Sequence, residues 1–218
     1  MDNNLIWNKA GDYSPLLILA HGAGAGMDSA FMVTMATLLC ERNITVVRFN
    51  FPYMQQQQAT GRKRPPDRKP KLIECWNEVI KQVKTRSSAP IFIGGKSMGG
   101  RIATMLEPDT MSKLLVSGVI CIGYPFYGAG KQDNPRIEHL KTVLLPHLII
   151  QGDRDTMGNI TTVLTYPLSK LIDIYWLKDG SHDLCPRKSS GLTHNQHLDK
   201  AAEVISNFIH DKQNRYTY

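Results

Sequence analysis

Cysteine is scarce in this sequence, and its spacing excludes two kinds of site. The four cysteines lie far apart and form no CxxC pair, so neither a zinc site nor a thiol redox motif is indicated. Three of them fall in stretches predicted to be helix or strand, where a buried, unreactive thiol is usual. Their positions are Cys40, Cys75, Cys121 and Cys185.

Long apolar runs are also missing. No stretch of roughly 18 consecutive apolar residues occurs, so we expect no membrane span and no membrane partner. The opening residues, MDNNLIWNKAGDYS, lack a basic start followed by an apolar block, so we expect no signal peptide. Because no cysteine pattern suggests disulfides, we expect a reduced, cytoplasmic location.

Acidic residues are outnumbered, and the excess positive charge is concentrated in one segment. The 218 residues include 26 Lys and Arg against 19 Asp and Glu, for a net charge of +7. Residues 61–71, GRKRPPDRKPK, carry six basic side chains and one acidic, which accounts for +5. Two interpretations stay open: a solvated basic loop, or a surface that attracts an anionic substrate or partner. Nucleic acid is not expected, because the run lacks an aromatic platform or a groove-reading helix.

Short apolar runs alternate with helical patterns along the chain, within an ordinary apolar share of 42%. This alternation predicts one α/β domain, residues 1–218, with a mostly parallel sheet of six or seven strands and helices on both faces. The polar residues 52–70, which include the run QQQQ, are predicted to form a loop. Predicted strands span 15–22, 44–51, 90–95, 117–123, 144–152 and 172–178, and predicted helices span 28–43, 71–86, 98–107, 159–170 and 194–212.

The stretch GGKSMGGR, residues 94–101, looks like the end of a phosphate-binding loop. Such a loop needs G-x-x-x-x-G-K-[ST], and Pro90 holds the position of the first glycine. Residues 91–93 belong to a predicted strand, so no loop remains to surround a phosphate. The earlier HGAGAGM fails as a dinucleotide motif because Met27 stands where glycine or alanine is required. With both nucleotide motifs rejected, Lys96 is interpreted as a neighbour of the site and not a participant.

The same stretch fits G-x-S-x-G, which presents a nucleophilic serine on a sharp strand-to-helix turn. Gly95 and Gly99 leave room there for close backbone approach around Ser97. Such a serine needs an imidazole base oriented by a carboxylate, in the chain order serine, acid, histidine. Asp155 follows a predicted strand by enough residues to turn toward an imidazole, and His182 follows the next predicted strand.

Asp153 is the alternative acid, although its place nearer the strand end suits a turn residue better. The remaining histidines lie in or beside helices or strands, and His21 is expected to shape the loop after the first predicted strand. An oxyanion hole requires two N–H donors. We predict the backbone of Met98 as one donor, and that of Ala23 or Gly24 as the other.

The substrate site is expected beyond the carboxyl ends of the strands, where residues 52–70 also leave the sheet. Arg62 and Arg64 are predicted to lie on its rim and to favour an acyl or leaving group that carries negative charge. Arg101, one turn after the nucleophile, and Tyr53 are further candidates for substrate contact.

Six segments together resemble the dienelactone-hydrolase-like branch of the α/β-hydrolase superfamily, which includes testis-expressed protein 30 and subunit 3 of the NSL chromatin complex. They are LAHGAGAGMDSAFM, VVRFNFPYM, GRKRPPDRKPKL, IFIGGKSMGGRIA, IIQGDRDTMG and DGSHDL. The resemblance implies the α/β-hydrolase fold, with Ser97 as nucleophile, Asp155 as acid and His182 as base. The sequence departs from the branch at Asp153, where a smaller residue is usual, and at 156–157, where Pro-Phe is usual.

We therefore expect a serine hydrolase that cleaves a carboxylic ester or related acyl bond through an acyl-enzyme. No metal or organic cofactor is expected, the substrate is expected to be a small acyl molecule, and the chain is expected to be a monomer or small homo-oligomer. Only about twenty residues separate the fourth and fifth predicted strands, where hydrolases often insert a cap, so no large cap domain is expected. The alternative is a non-catalytic interaction protein on the same fold, as the NSL relative suggests.

Overall fold

The computed structural model describes residues 5–213, and across these residues seven strands form one sheet. The sheet order is β1-β3-β2-β4-β5-β6-β7, in which β1 runs antiparallel to β3 and the other neighbours are parallel. The outermost parts of the predicted domain 1–218, residues 1–4 and 214–218, lie outside the described residues. The strands are β1 Ile6–Asn8, β2 Leu16–Ala20, β3 Thr45–Phe49, β4 Ile91–Lys96, β5 Val116–Ile122, β6 His147–Gly152 and β7 Ile172–Leu177.

Seven helices accompany these strands in the described part of the chain, and they cover both faces of the sheet. Alternate residues of β2 point to opposite faces, so Leu16 and Ile18 enter one apolar core while Leu17 and Leu19 enter another. Helix α3 packs in the first core, and α1 and α7 pack in the second. The helices are α1 Ala30–Cys40, α2 Pro52–Thr60, α3 Lys69–Lys84, α4 Met98–Ala103, α5 Pro108–Lys113, α6 Ile160–Val163 and α7 His194–Gln213.

The central strands are buried on both faces, which explains their near-continuous apolar sequences and confirms the predicted mostly parallel sheet. No large cap domain lies between β5 and β6, where the described residues contain one short 3₁₀ turn at Glu138–Lys141. No helix among residues 5–213 has the length and apolar character needed to cross a membrane.

The prediction of a loop over residues 52–70 was wrong for its first half. Residues 52–60 form helix α2, because Pro52 suits the first turn of a helix and the glutamines that follow are good helix formers. Burial of Tyr53 and Met54 fixes this helix against the core, and Gly61 ends it in the left-handed conformation with φ 65°. Within the predicted loop 52–70, only residues 61–68 lack regular secondary structure.

Four other elements differ from the sequence-based expectations. The helix predicted over 98–107 ends at Ala103, and a separate helix that was not predicted, α5, begins at Pro108. The helix predicted over 159–170 is limited to Ile160–Val163. Strand β1 is three residues long, too short to show an alternating pattern in the sequence.

The strand order reverses between β2 and β4. Strand β3 lies on one side of β2, while β4 and all later strands lie on the other side. The loops after β2 and β4 therefore leave the sheet in opposite directions and open a crevice at the carboxyl ends of these two strands. Ligands of open α/β sheets bind at such a reversal.

Candidate active site

Ser97 stands at the tight turn between β4 and α4, in this crevice. Its backbone angles of φ 51° and ψ −114° lie in a region that non-glycine residues rarely adopt. The flanking glycines make the turn possible, because a Cβ at Gly95 would lie 2.5 Å from the carbonyl oxygen of Ala20. A Cβ at Gly99 would lie 2.5 Å from that of His21. The end of β2 is thus packed directly against the turn that presents Ser97.

A chain of hydrogen bonds joins the serine to a histidine and a carboxylate from later loops. Ser97 Oγ lies 2.8 Å from His182 Nε2, and His182 Nδ1 lies 2.7 Å from Asp155 Oδ2. Because the carboxylate accepts at Nδ1, that nitrogen carries the hydrogen and Nε2 is left to accept from the serine hydroxyl. The structure brings together the three residues that the sequence motifs and the resemblance singled out.

The surroundings of Asp155 distinguish it from Asp153. Asp155 is fully buried and also accepts hydrogen bonds from Gln151 Nε2 at 2.7 Å and from the backbone N–H of Met157 at 2.8 Å. Asp153 makes no hydrogen bond to His182, and its buried Oδ1 has no partner within the described residues. Geometry therefore assigns the carboxylate next to His182 to Asp155.

Gln151 is a site residue that the sequence analysis missed. It is fully buried in β6, accepts from the backbone N–H of Tyr124 at 2.7 Å, and donates to Asp155 and to the carbonyl oxygen of Gly158. Its signal in the sequence was a lone polar residue at the end of the apolar strand HLIIQG. Such a residue inside a buried strand requires partners, and here one of them is the carboxylate of the site.

Tyr53 anchors the glycine-rich loop after β2 through hydrogen bonds from its hydroxyl group. This side chain is buried, and its hydroxyl donates to the carbonyl oxygens of Ala23 at 3.0 Å and Gly22 at 3.3 Å. Burial, with the charge of Asp67, raises the pKa of Tyr53, so the hydroxyl keeps its hydrogen. Since a trans peptide directs its N–H opposite to its C=O, these bonds turn the N–H groups of Ala23 and Gly24 away from Tyr53.

His21 shapes the start of the same loop. Its Nε2 accepts from the backbone N–H of Phe51 at 3.1 Å, and its Nδ1 lies 2.6 Å from the carbonyl oxygen of Gly22. Burial lowers the pKa of His21, which favours the neutral ring that this pair of bonds requires. Its imidazole is engaged by backbone groups, as expected for a residue that shapes a loop.

A cleft of about 530 Å³ opens in front of Ser97. The loop 22–25, the side chains of Phe31 and Met32, and Met157 and His182 line it. A larger hollow of about 650 Å³ lies at the opposite, amino-terminal ends of the strands, next to Pro90, and contains none of the residues of the hydrogen-bonded chain. The cleft that contains Ser97 is the relevant one, because it alone of the two has the polar groups of a reactive site.

The four residues predicted to contact substrate do not line this cleft. Arg62 and Arg64 are exposed in the segment after α2, and Tyr53 lies beneath the loop and not in the cleft. Arg101 is half-buried, and burial lowers the pKa of its guanidinium, an effect that Tyr124 opposes and Arg136 reinforces. The sequence predicted that these residues lie near the crevice. The direction in which their side chains extend is determined by packing, which the sequence pattern does not show. Among residues 5–213, no cluster of three or more His, Cys, Asp or Glu side chains could hold a metal ion.

The fold and the serine turn define a class: a mostly parallel α/β protein with a serine at a tight strand-to-helix turn where the strand order reverses. A family model described as an alpha/beta hydrolase domain matches residues 13–210, and the chain therefore belongs to the alpha/beta hydrolase family. Membership of this family supports a hydrolase.

Solved structures share this fold at low sequence identity. An alpha-beta serine hydrolase homologue from Coxiella burnetii is 19% identical, with a TM-score of 0.67, over 93% of this chain and 89% of that one. Est1E from Butyrivibrio proteoclasticus, solved with ferulic acid bound, is 14% identical with a TM-score of 0.69, over 96% and 95%. XC6422 from Xanthomonas campestris, a serine hydrolase without a lid, is 18% identical with a TM-score of 0.61, over 97% and 88%.

Proposed function

We propose that the protein is a serine hydrolase that cleaves a carboxylic ester or related acyl bond through an acyl-enzyme. The observation that carries the proposal is the hydrogen-bonded chain from Ser97 through His182 to Asp155 at the mouth of a cleft. In this proposal Ser97 is the nucleophile, His182 the general base and acid, and Asp155 the group that orients the imidazole.

The first half-reaction follows from the positions of the hydrogens. His182 Nε2 takes the proton of Ser97 Oγ as that oxygen bonds to the substrate carbonyl carbon. The negative charge that develops on the carbonyl oxygen is stabilised by the backbone N–H groups of Met98 and of Ala23 or Gly24. Met98 is the first residue of α4, so its N–H has no acceptor in a preceding helical turn. His182 then gives the proton to the leaving oxygen, which departs and leaves the acyl group on Ser97.

The second half-reaction repeats these steps with water. His182 removes a proton from a water molecule as the water attacks the acyl carbon, and it returns that proton to Ser97 Oγ when the ester bond to the enzyme breaks. The acid product leaves and the enzyme is regenerated. The buried carboxylate of Asp155 stabilises the imidazolium that forms in both halves.

The substrate is proposed to be a small acyl molecule whose acyl or leaving group contacts the apolar side chains of Phe31, Met32 and Met157 in the cleft. The six sequence segments support the further proposal that the chain belongs to the dienelactone-hydrolase-like branch. Est1E has been solved with ferulic acid, and another protein of the same fold, from Paleococcus ferrophilus, is a monoacylglycerol lipase. Both are consistent with ester chemistry here.

Labelling with a fluorophosphonate probe tests the proposal directly. The wild type should be labelled at neutral pH, and Ser97→Ala should not. A panel of p-nitrophenyl esters of varied chain length then measures turnover, which Ser97→Ala and His182→Ala should each lower by roughly 10⁶-fold. A folded wild type that shows neither labelling nor turnover would instead support an interaction protein on this fold.

A further inference from the structure

Lys96 immediately precedes the candidate nucleophile, and its side chain is turned toward the loop that carries the candidate base. The side chain is 10% exposed, and its Nζ donates to the carbonyl oxygen of His182 at 2.8 Å. The same ammonium lies 3.1 Å from Asp183 Oδ1 and 5.7 Å from the centre of the Phe31 ring. One lysine at the end of β4 thus contacts two consecutive residues of the His182 loop.

The space around this contact is tight. Gly123, at the end of β5, has φ 66°, and a Cβ there would lie 2.6 Å from the carbonyl oxygen of His182 and 3.1 Å from Lys96 Nζ. The carbonyl of His182 is therefore enclosed between the backbone of Gly123 and the lysine ammonium. A buried ammonium is costly unless it is paired, so its position here has to be maintained by these partners.

We propose that Lys96 is a positioning residue, which holds the backbone of His182 so that its imidazole stays within hydrogen-bond distance of Ser97 Oγ. This inference rests on the proposed function, since it assigns a role to a neighbour of the same hydrogen-bonded chain. The contact that carries it is the hydrogen bond from Lys96 Nζ to the carbonyl oxygen of His182.

Charged groups of both signs surround the contact between Lys96 and His182. The carboxylate of Asp183 lies 3.1 Å from the ammonium of Lys96, and that of Asp155 lies 2.7 Å from Nδ1 of the imidazole. His194 also faces this group, because its Nε2 lies 2.8 Å from the backbone oxygen of Asp183. Burial lowers the pKa of Lys96, and Asp183 and Asp155 counteract that effect. Burial acts to raise the pKa of Asp183, but Lys96 lowers it below its usual value.

Two variants separate the hydrogen bond of Lys96 from its ion pair. Lys96→Met leaves the carbonyl oxygen of His182 without this donor, whereas Asp183→Asn keeps the donor and removes only a carboxylate whose side chain is 73% exposed. A positioning role therefore predicts a much larger loss of kcat for Lys96→Met than for Asp183→Asn. A purely structural role would lower the free energy of unfolding without a selective loss of kcat.

The experiment measures kcat and KM for p-nitrophenyl acetate, with urea unfolding as a separate measure of stability. Lys96→Met should lower kcat about 10-fold while KM stays within about twofold. Lys96→Arg should also lower kcat, because the larger guanidinium cannot occupy the same position. Lys200→Met, which breaks an exposed pair with Glu203 on α7, is the matched control and should change neither quantity.

The two proposals fail in different ways. A wild type without Ser97-dependent labelling or turnover contradicts the proposed hydrolase, whatever the Lys96 variants show. A labelled wild type in which Lys96→Met leaves kcat unchanged overturns the role of Lys96 and leaves the hydrolase intact. Should Lys96→Met not fold, Lys96→Arg still decides: a kcat equal to that of the wild type overturns the proposal.

Discussion

Gln151 Nε2 donates to Asp155 Oδ2 across 2.7 Å, and both side chains are fully buried. The same oxygen is the one that His182 Nδ1 contacts. A buried carboxylate needs hydrogen-bond donors in place of its hydration. Gln151 therefore supplies one such donor and also fixes the direction from which Asp155 meets the imidazole.

Replacing Gln151 by leucine should affect both stability and turnover. The backbone N–H of Tyr124 loses its acceptor and Asp155 loses a donor, which should cost about 2 kcal/mol in the free energy of unfolding. We expect kcat for a p-nitrophenyl ester to fall about 10-fold or more, as the orientation of His182 relaxes. Urea unfolding measures the loss of stability, and steady-state kinetics measure the fall in kcat. A stability loss with unchanged kcat would show that Gln151 contributes to stability alone.

Tyr53→Phe tests whether the loop after β2 supplies N–H groups to the reaction. The substitution removes the hydrogen bonds to Gly22 and Ala23 but keeps the buried ring, so stability should fall by only about 1 kcal/mol. If those bonds orient the oxyanion donors, kcat should fall several-fold while KM changes little. Tyr127→Phe is the matched control, because this buried tyrosine bonds Asn159 and does not contact the loop. Equal kcat losses in both variants would contradict the role assigned to Tyr53.

His147 should make stability depend on pH. Burial lowers its pKa to about 4, and its Nε2 has no partner within the described residues. The unfolded chain binds this proton below about pH 6.5 and the folded protein only near pH 4, so stability is complete above pH 6.5 and falls as the pH decreases through this window. Between pH 7.5 and 5 the loss from His147 should be about 2 kcal/mol.

The measurement compares wild type and His147→Gln by urea unfolding at both pH values. The wild type should lose about 2 kcal/mol more than the variant on acidification, whatever the difference between them at pH 7.5. His139, whose pKa burial also lowers to about 4, stays in both proteins and cancels in the comparison. Parallel losses in the two proteins would show that His147 titrates normally.

Charge reversal of Arg62 and Arg64 tests the prediction that these two residues favour an acyl or leaving group that carries negative charge. Because both side chains are exposed and do not line the cleft, they can act on a substrate only through a long-range field. The double variant should leave kcat unchanged and raise KM for an anionic ester by no more than about threefold at low salt. That increase should disappear at 0.5 M salt, where the Debye length is only about 4 Å. An increase in KM that persists at high salt would mean direct contact.

Much of the fold could be predicted from local sequence. The central strands are apolar along their whole length because both faces are buried, and Gly95 and Gly99 mark the turn at Ser97 because no Cβ fits there. The serine, aspartate and histidine follow the expected order along the chain, each after its own strand, so they could be selected before any distance was known. Local patterns did not predict α2, because its formation depends on burying Tyr53 and Met54 against distant residues.

The sequence by itself determined six of the seven strands, their order along the chain, and the three residues of the hydrogen-bonded chain. Only the tertiary structure decided what surrounds them. Lys96 meets the carbonyl of His182 across 86 positions of sequence, and Tyr53 meets Ala23 across 30. Such contacts depend on which strands are neighbours in the sheet and on where the loops cross its edge. Short-range periodicity in the sequence does not encode either of these. For the same reason the structure, and not the run of basic residues, showed that the cleft is lined without Arg62 and Arg64.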